Sequence, residues 1–171
     1  KKGLVIDVRF NGGGWTTDYL LAILMAKRHA YTLSRGGDPG YPQDRLPLYV
    51  WTKPIAVLCN ERSFSNAEIF THAIRTLKRG PVIGMPTAGG VISTGRRTLI
   101  DGSSVAIPRR GWFTIDKGVN MEHNGAVPDH VVEDLPEDIA EGRDRQLTKA
   151  VEVLMQIVRD TPPEFPTHRG E

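Results

Sequence analysis

Asn60-Glu61-Arg62-Ser63-Phe64-Ser65-Asn66-Ala67-Glu68-Ile69-Phe70 follows an apolar run, Ile55-Ala56-Val57-Leu58-Cys59, without a break. Ile55–Cys59 has the length and apolar continuity of a buried strand. From Ala67 onward the apolar residues Ala67, Phe70, Ala73, Ile74 and Leu77 recur at helical spacing. The stretch is therefore a strand-to-helix junction carrying two serines. Backbone N–H groups at a helix start are unpaired and partly positive, so negative charge on a carbonyl oxygen would be stabilised there. Acyl transfer by a serine nucleophile needs such stabilisation. A serine in the same place also caps helices, with Asn66 or Glu68 assisting. The stretch alone leaves both readings open.

Outward from it, Gly3-Leu4-Val5-Ile6-Asp7-Val8-Arg9-Phe10 reads as a strand largely buried on both faces, as in a parallel sheet. Asn11-Gly12-Gly13-Gly14 breaks it, and Thr16 or Thr17 caps a helix expected to end near His29. Three glycines between strand and helix allow backbone amides to face a cavity at the carboxyl end of the sheet. They equally suit a tight turn. The pattern is neither a dinucleotide fingerprint nor a P-loop. Val82-Ile83-Gly84 completes a second strand–helix–strand unit, which predicts an α/β layered fold with right-handed crossovers. Tyr31–Ser34 is a short strand candidate, and Gly36–Leu46, with Asp38 and Asp44, reads as an exposed loop. Thr94–Ile100 and Ser104–Ile107 flank Asp101-Gly102, a hairpin signal, and Trp112–Thr114 suggests another strand. Pro136–Ile139 opens a helical turn. Arg145–Arg159 is a helix with Leu147, Ala150, Val151, Leu154 and Val158 on one stripe.

The 171 residues suit one domain with a real core, expected over residues 1–160, with 161–171 a loose tail. A net charge of +2 gives no argument for nucleic acid or an anionic membrane, and the apolar run Leu20–Ala26 is too short to cross a bilayer. Arg96-Arg97 and Arg109-Arg110 read as solvated strand or loop residues. Cys59 reads as a core residue. No metal or cofactor is expected, since no His/Cys/Asp/Glu cluster has ligand spacing. The chain lacks an initiator Met and starts directly before a strand, so it is expected to be a piece of a longer protein.

Together, Leu4–Gly14, Asn60–Phe70, Gly84-Met85-Pro86-Thr87-Ala88-Gly89-Gly90-Val91 and Glu122-His123-Asn124-Gly125-Ala126-Val127-Pro128-Asp129 resemble, in that order, the tricorn-type serine peptidases and the related C-terminal processing peptidases. The resemblance implies a catalytic core with a fold similar to those of ClpP and crotonase. It implies a Ser65 nucleophile, with the Asn66 amide as one oxyanion-hole donor and Gly13, or Gly12 beside it, as the other. Ser63 would then be the cap, leaving Ser65 free. Processing peptidases use a serine–lysine dyad, but their lysine position is Gly90 here, and no lysine lies between Lys78 and Lys117. The tricorn branch uses two serines, a histidine and a glutamate, and its glutamate matches Glu122, which would support the second serine and the histidine. A solvated loop carboxylate is the plainer reading of Glu122.

The general-base histidine and second serine are expected upstream of Lys1, so the isolated chain should lose several orders of magnitude in rate. His72 shares a helix face with Ser65 but lies roughly 10 Å along the axis, too far for a hydrogen bond. His123 is a spare polar residue, His29 and His130 are surface or edge residues, and His168 falls in the tail. The implied partners are peptide or unfolded polypeptide substrates and, in the longer protein, further copies of itself. The compartment is left between cytoplasm and periplasm. Two other classes fit the same fold: an acyl-CoA enzyme that uses the paired amides without a nucleophile, and a peptide-binding module with a degenerate site.

Overall fold

In a computed structural model, residues 1–33, 35–37, 39–40 and 49–162 are described. Asp38, Asp44, His168, most of the Gly36–Leu46 loop and the tail from residue 163 lie outside them. Four parallel strands form one sheet in the order β1 (Leu4–Asp7), β4 (Ile55–Cys59), β5 (Val82–Gly84), β8 (His130–Val131). β1 pairs with β4 at Leu4–Ile55 through Asp7–Leu58, and β4 with β5 at Val57–Val82 through Cys59–Gly84.

β4 is the hub. All five of its residues are at most 1% exposed, because a central strand is covered by strands on both edges and helices on both faces. Ile55, Val57 and Cys59 face one way and pack with Leu24, Ala67, Phe70 and Ile74, from the helices α1 (Thr17–Leu24) and α2 (Asn66–Thr76). Ala56 and Leu58 face the other way, with Ile83, against Ala150 and Leu154 of α4 (Arg145–Asp160). The side-chain period of two thus splits one strand between two half-cores. Each fully buried Val, Leu or Ile contributes roughly 1.5–3 kcal/mol relative to exposure. Short pairs β2 (Thr32–Leu33) with β3 (Pro39–Gly40), and β6 (Ser93–Thr98) with β7 (Ser104–Arg110), stand apart from this sheet. α3 (Pro136–Ala140) precedes α4.

Several expectations are corrected. β1 packs on both faces, Ile6 toward the α1/α2 half-core and Val5 toward the α4 half-core, but it is less buried than expected: it is the outermost strand of the described sheet, and Leu4 and Asp7 at its ends are exposed. α1 stops at Leu24 rather than near His29, since its last carbonyls are taken by tertiary donors: Trp51 N–H reaches Ile23 O at 3.1 Å and Arg79 Nε reaches Leu24 O. The Thr16 side chain makes no cap bond to α1. On α4, Ala150 and Leu154 are buried while Leu147 and Val151 of the expected stripe stay 40% and 45% exposed. Trp112–Thr114 reduces to a single bridge, Phe113 to Asn120, because Gly118 N–H turns the chain back onto Thr114 O. The Asp101-Gly102 hairpin forms as expected, with β7 running on to Arg110.

Candidate active site

The carboxyl ends of β1 and β4 are stitched together before either chain turns. The Ser63 hydroxyl, fully buried, donates to Val8 O at 2.8 Å and accepts from Asn60 N–H at 3.0 Å. Asn60 Oδ1 accepts from Phe10 N–H and Arg62 N–H, each at 3.1 Å, and Phe64 N–H donates to Asn11 O at 2.9 Å. Ser63 is thus a tie between strands. It is not the helix cap that the sequence suggested.

The cap position belongs to Ser65. Its backbone sits at φ +56°, ψ −119°, which a side-chain-bearing residue enters only at a cost of about 1–3 kcal/mol. Ala67 N–H closes the turn onto Phe64 O at 3.2 Å. Glu68 Oε1 accepts from Ser65 N–H at 2.9 Å, one half of a capping box. The Ser65 side chain completes the capping-box arrangement toward Glu68 N–H but forms no cap hydrogen bond, because that N–H goes to the Ser65 carbonyl at 3.0 Å. Ser65 is half-buried and sits in the capping-box position at the positive end of α2, with no cap hydrogen bond to its hydroxyl.

The glycine bend comes up against this turn. A Cβ on Gly13 (φ +99°) would lie 2.7 Å from Ser65 Cβ and 2.9 Å from both Asn66 N and Phe64 O, so only glycine fits. Ser65, Asn66 and Gly13 are thereby brought together. Asn66 N–H, at the first position of α2, has no hydrogen-bond partner among the described residues, as expected of a helix start. Gly13 N–H is held by Asn11 Oδ1 at 2.8 Å, whereas a side chain on Gly12 would meet only open space.

Glu122 lies on the other flank. Its Oε2 accepts from Val91 N–H and Ile92 N–H, both at 2.9 Å, so it is neither a solvated loop carboxylate nor hydrogen-bonded to Ser65. His72 bonds to Thr76 Oγ1 at 3.2 Å, one turn farther from Ser65, and burial pushes its imidazole pKa below the ordinary value; Asp116 opposes that shift and Arg75 adds to it. His123 is exposed. Among the described residues no group of three or more His, Cys, Asp or Glu could hold a metal ion, and no helix is long and apolar enough to cross a membrane.

Two residues that matter here, Thr87 and Arg9, were given no role by the sequence, and a third, Glu68, does more than the cap assistance expected of it. Glu68, fully buried, also accepts from Thr87 Oγ1 at 2.6 Å, Gly89 N–H at 2.5 Å and Gly90 N–H at 2.8 Å. It clamps the 87–90 loop to the serine turn, and a buried carboxylate with four donors is fully compensated. Thr87 passes the tie onward, accepting from Ala126 N–H at 2.8 Å. Arg9 reaches Asp7, Asp144 and Gln146 at 2.7–3.2 Å, joining the end of β1 to the start of α4. The Ser-x-x-Glu spacing was the available signal for Glu68; nothing local marks Arg9.

The match to known proteins agrees with this geometry. The profile of peptidase family S41 matches residues 1–132. The chain is 36% identical to tricorn protease homolog 1 of Streptomyces coelicolor over 97% of its own length and 15% of that protein. It is 34% identical to the tricorn protease of Thermoplasma acidophilum over 96% of its length and 15% of that protein. A crystal structure of the tricorn protease superposes with a TM-score of 0.82 at 34% identity, over 92% of this chain and 15% of that one. The chain thus spans about 15% of the relatives it matches. With a parallel α/β sheet, a strained serine at a helix start and a family profile over most of its length, this chain belongs to peptidase family S41.

Proposed function

We propose that this chain is the core of a serine peptidase, with Ser65 as nucleophile. The single observation that carries the reading is the Ser65 backbone: a non-glycine residue held at φ +56° with its hydroxyl free of cap bonding. Strain of this kind persists where it aims a side chain, as in the nucleophile turns of other hydrolases. Ser65 Oγ attacks the peptide carbonyl carbon and loses its proton to a histidine supplied from outside this chain. The oxyanion forms against Asn66 N–H and an amide of the glycine bend: Gly12, or Gly13 sharing its proton with Asn11. The C–N bond then breaks, the amine leaves with the proton, and water hydrolyses the acyl-enzyme. Removing one such donor costs about a hundred- to a thousandfold in kcat.

Glu122 anchors the Val91–Ile92 backbone through one oxygen, and its other oxygen has no partner among the described residues. We assign that oxygen to the second serine of the tricorn arrangement. The ClpP/crotonase-like layering, peptide or unfolded polypeptide substrates, and self-association of the longer protein belong to the same reading. The test is fluorophosphonate labelling of the full-length protein. Labelling of Ser65 that Ser65→Ala abolishes supports the peptidase. CoA-thioester turnover that survives Ser65→Ala would overturn it in favour of an acyl-CoA enzyme. Peptide binding with no labelling would leave a binding module.

A further inference from the structure

The first-turn amides of α1 need a partner, because Thr16 at its N-cap offers no side-chain bond. The partner comes from the other helix. Asn66 Oδ1 accepts from Thr16 N–H at 2.9 Å, from Thr17 N–H at 3.0 Å and lies 2.9 Å from Thr17 Oγ1. The Thr17 hydroxyl, 3% exposed, is also 2.9 Å from Asn66 O, so its one proton serves either oxygen of the same residue. Both ends of the glycine bend are then tied to the serine turn. The upstream end is held by Phe64 N–H on Asn11 O, and the downstream end by Asn66.

Resting on the peptidase reading, we propose that the Asn66 side chain is a positioning residue that sets the gap between the two oxyanion donors. Its own N–H is one donor, and its carboxamide oxygen fixes where α1 starts and hence where the Gly12–Gly14 bend lies. One residue spans the hole: its backbone forms one wall and its side chain holds the other. An ordinary helix cap would need no such reach between helices. Misplacing a donor by about 1 Å costs up to a hundredfold, because transition-state stabilisation depends on preorganised geometry.

The test compares Asn66→Ala with Asn66→Asp in the full-length protein, normalising kcat to active sites titrated with a fluorophosphonate. Asn66→Ala is expected to lower kcat per titrated site by about 10- to 100-fold with KM within about threefold. Asn66→Asp keeps the acceptor, places negative charge at two helix starts, and recovers the rate to within about fivefold. Wild-type kcat per titrated site in Asn66→Ala, or Asn66→Asp as impaired as Asn66→Ala, overturns the proposal. A second measurement does not need activity. Amide exchange across residues 12–17 should rise at least about tenfold in Asn66→Ala and return in Asn66→Asp; unchanged exchange also overturns it. If wild-type Ser65 is never labelled, the peptidase reading fails, and the exchange experiment still decides whether Asn66 holds the bend.

Discussion

Alanine substitutions along Gly12-Gly13-Gly14 should have three different outcomes, although the three residues are identical in sequence. A Cβ on Gly12 meets nothing within 4 Å, and the backbone there is not left-handed. Gly12→Ala should leave stability unchanged or raise it by about 0.4–1 kcal/mol through the unfolded state. Gly14 also faces open space but sits at φ +137°, so Gly14→Ala carries backbone strain of about 1–3 kcal/mol. Gly13 has the strain at φ +99° and contacts of 2.7 and 2.9 Å as well. Two of its three neighbours, Asn66 N and Phe64 O, are backbone atoms that cannot swing aside. Overpacking adds about 1–3 kcal/mol to the strain, so Gly13→Ala should cost about 2–6 kcal/mol. The easiest relief is for the bend to move off the serine turn, so on the proposed function Ser65 labelling should fall even in molecules that stay folded. Urea denaturation of the three variants, with Ser65 labelling in the full-length protein, measures both effects. A Gly13→Ala midpoint equal to that of Gly12→Ala would refute the packing of the bend against the Ser65 turn.

Ser65→Gly should be more stable than Ser65→Ala by about 1 kcal/mol, since glycine enters φ +56° without strain; neither should react with a fluorophosphonate, and equal stabilities would remove the strain argument. The Asp144 carboxyl is held below the ordinary range, chiefly by its hydrogen bond from Arg9. Its folded pKa is the lower one, so its stabilisation is complete above about pH 4 and lost as pH falls through the folded value. Urea midpoints from about pH 6 to about pH 2 should fall less steeply in Arg9→Met than in the unmutated chain. Burial pushes the Cys59 thiol up to about 12, with Asp129 adding to the shift. The folded pKa is the higher one, so stability should decline as pH rises above the unfolded value of about 8.5. A thiol reagent at about pH 9 should therefore modify Cys59 only as the protein unfolds; rapid native labelling would contradict its burial.

Local pattern made the layered fold legible. Ile55–Cys59 is apolar at every position because both its faces are covered, and α2 declares itself by apolar spacing after a serine. A helix start and a glycine triplet carry their backbone consequences within a few residues, so the junction and the bend were legible; the choice of Ser65 and Asn66 there came from the family resemblance. The Asp101-Gly102 hairpin and α4 follow equally local rules.

Tertiary contacts decided the rest. Whether Ser63 or Ser65 caps α2 depended on Val8 O, fifty-five residues away, taking the Ser63 hydroxyl. The end of α1 depended on Trp51 and Arg79, and the start of α1 on a carboxamide from α2. In sequence Glu68 is a cap assistant and Glu122 a match to the family's glutamate. Only the fold shows that one gathers the 87–90 loop and the other the Val91–Ile92 amides. Periodicity reports which face a residue presents, since it follows from backbone geometry alone. It carries no record of which distant donor or acceptor will arrive, and the chemistry of this site is built from those arrivals.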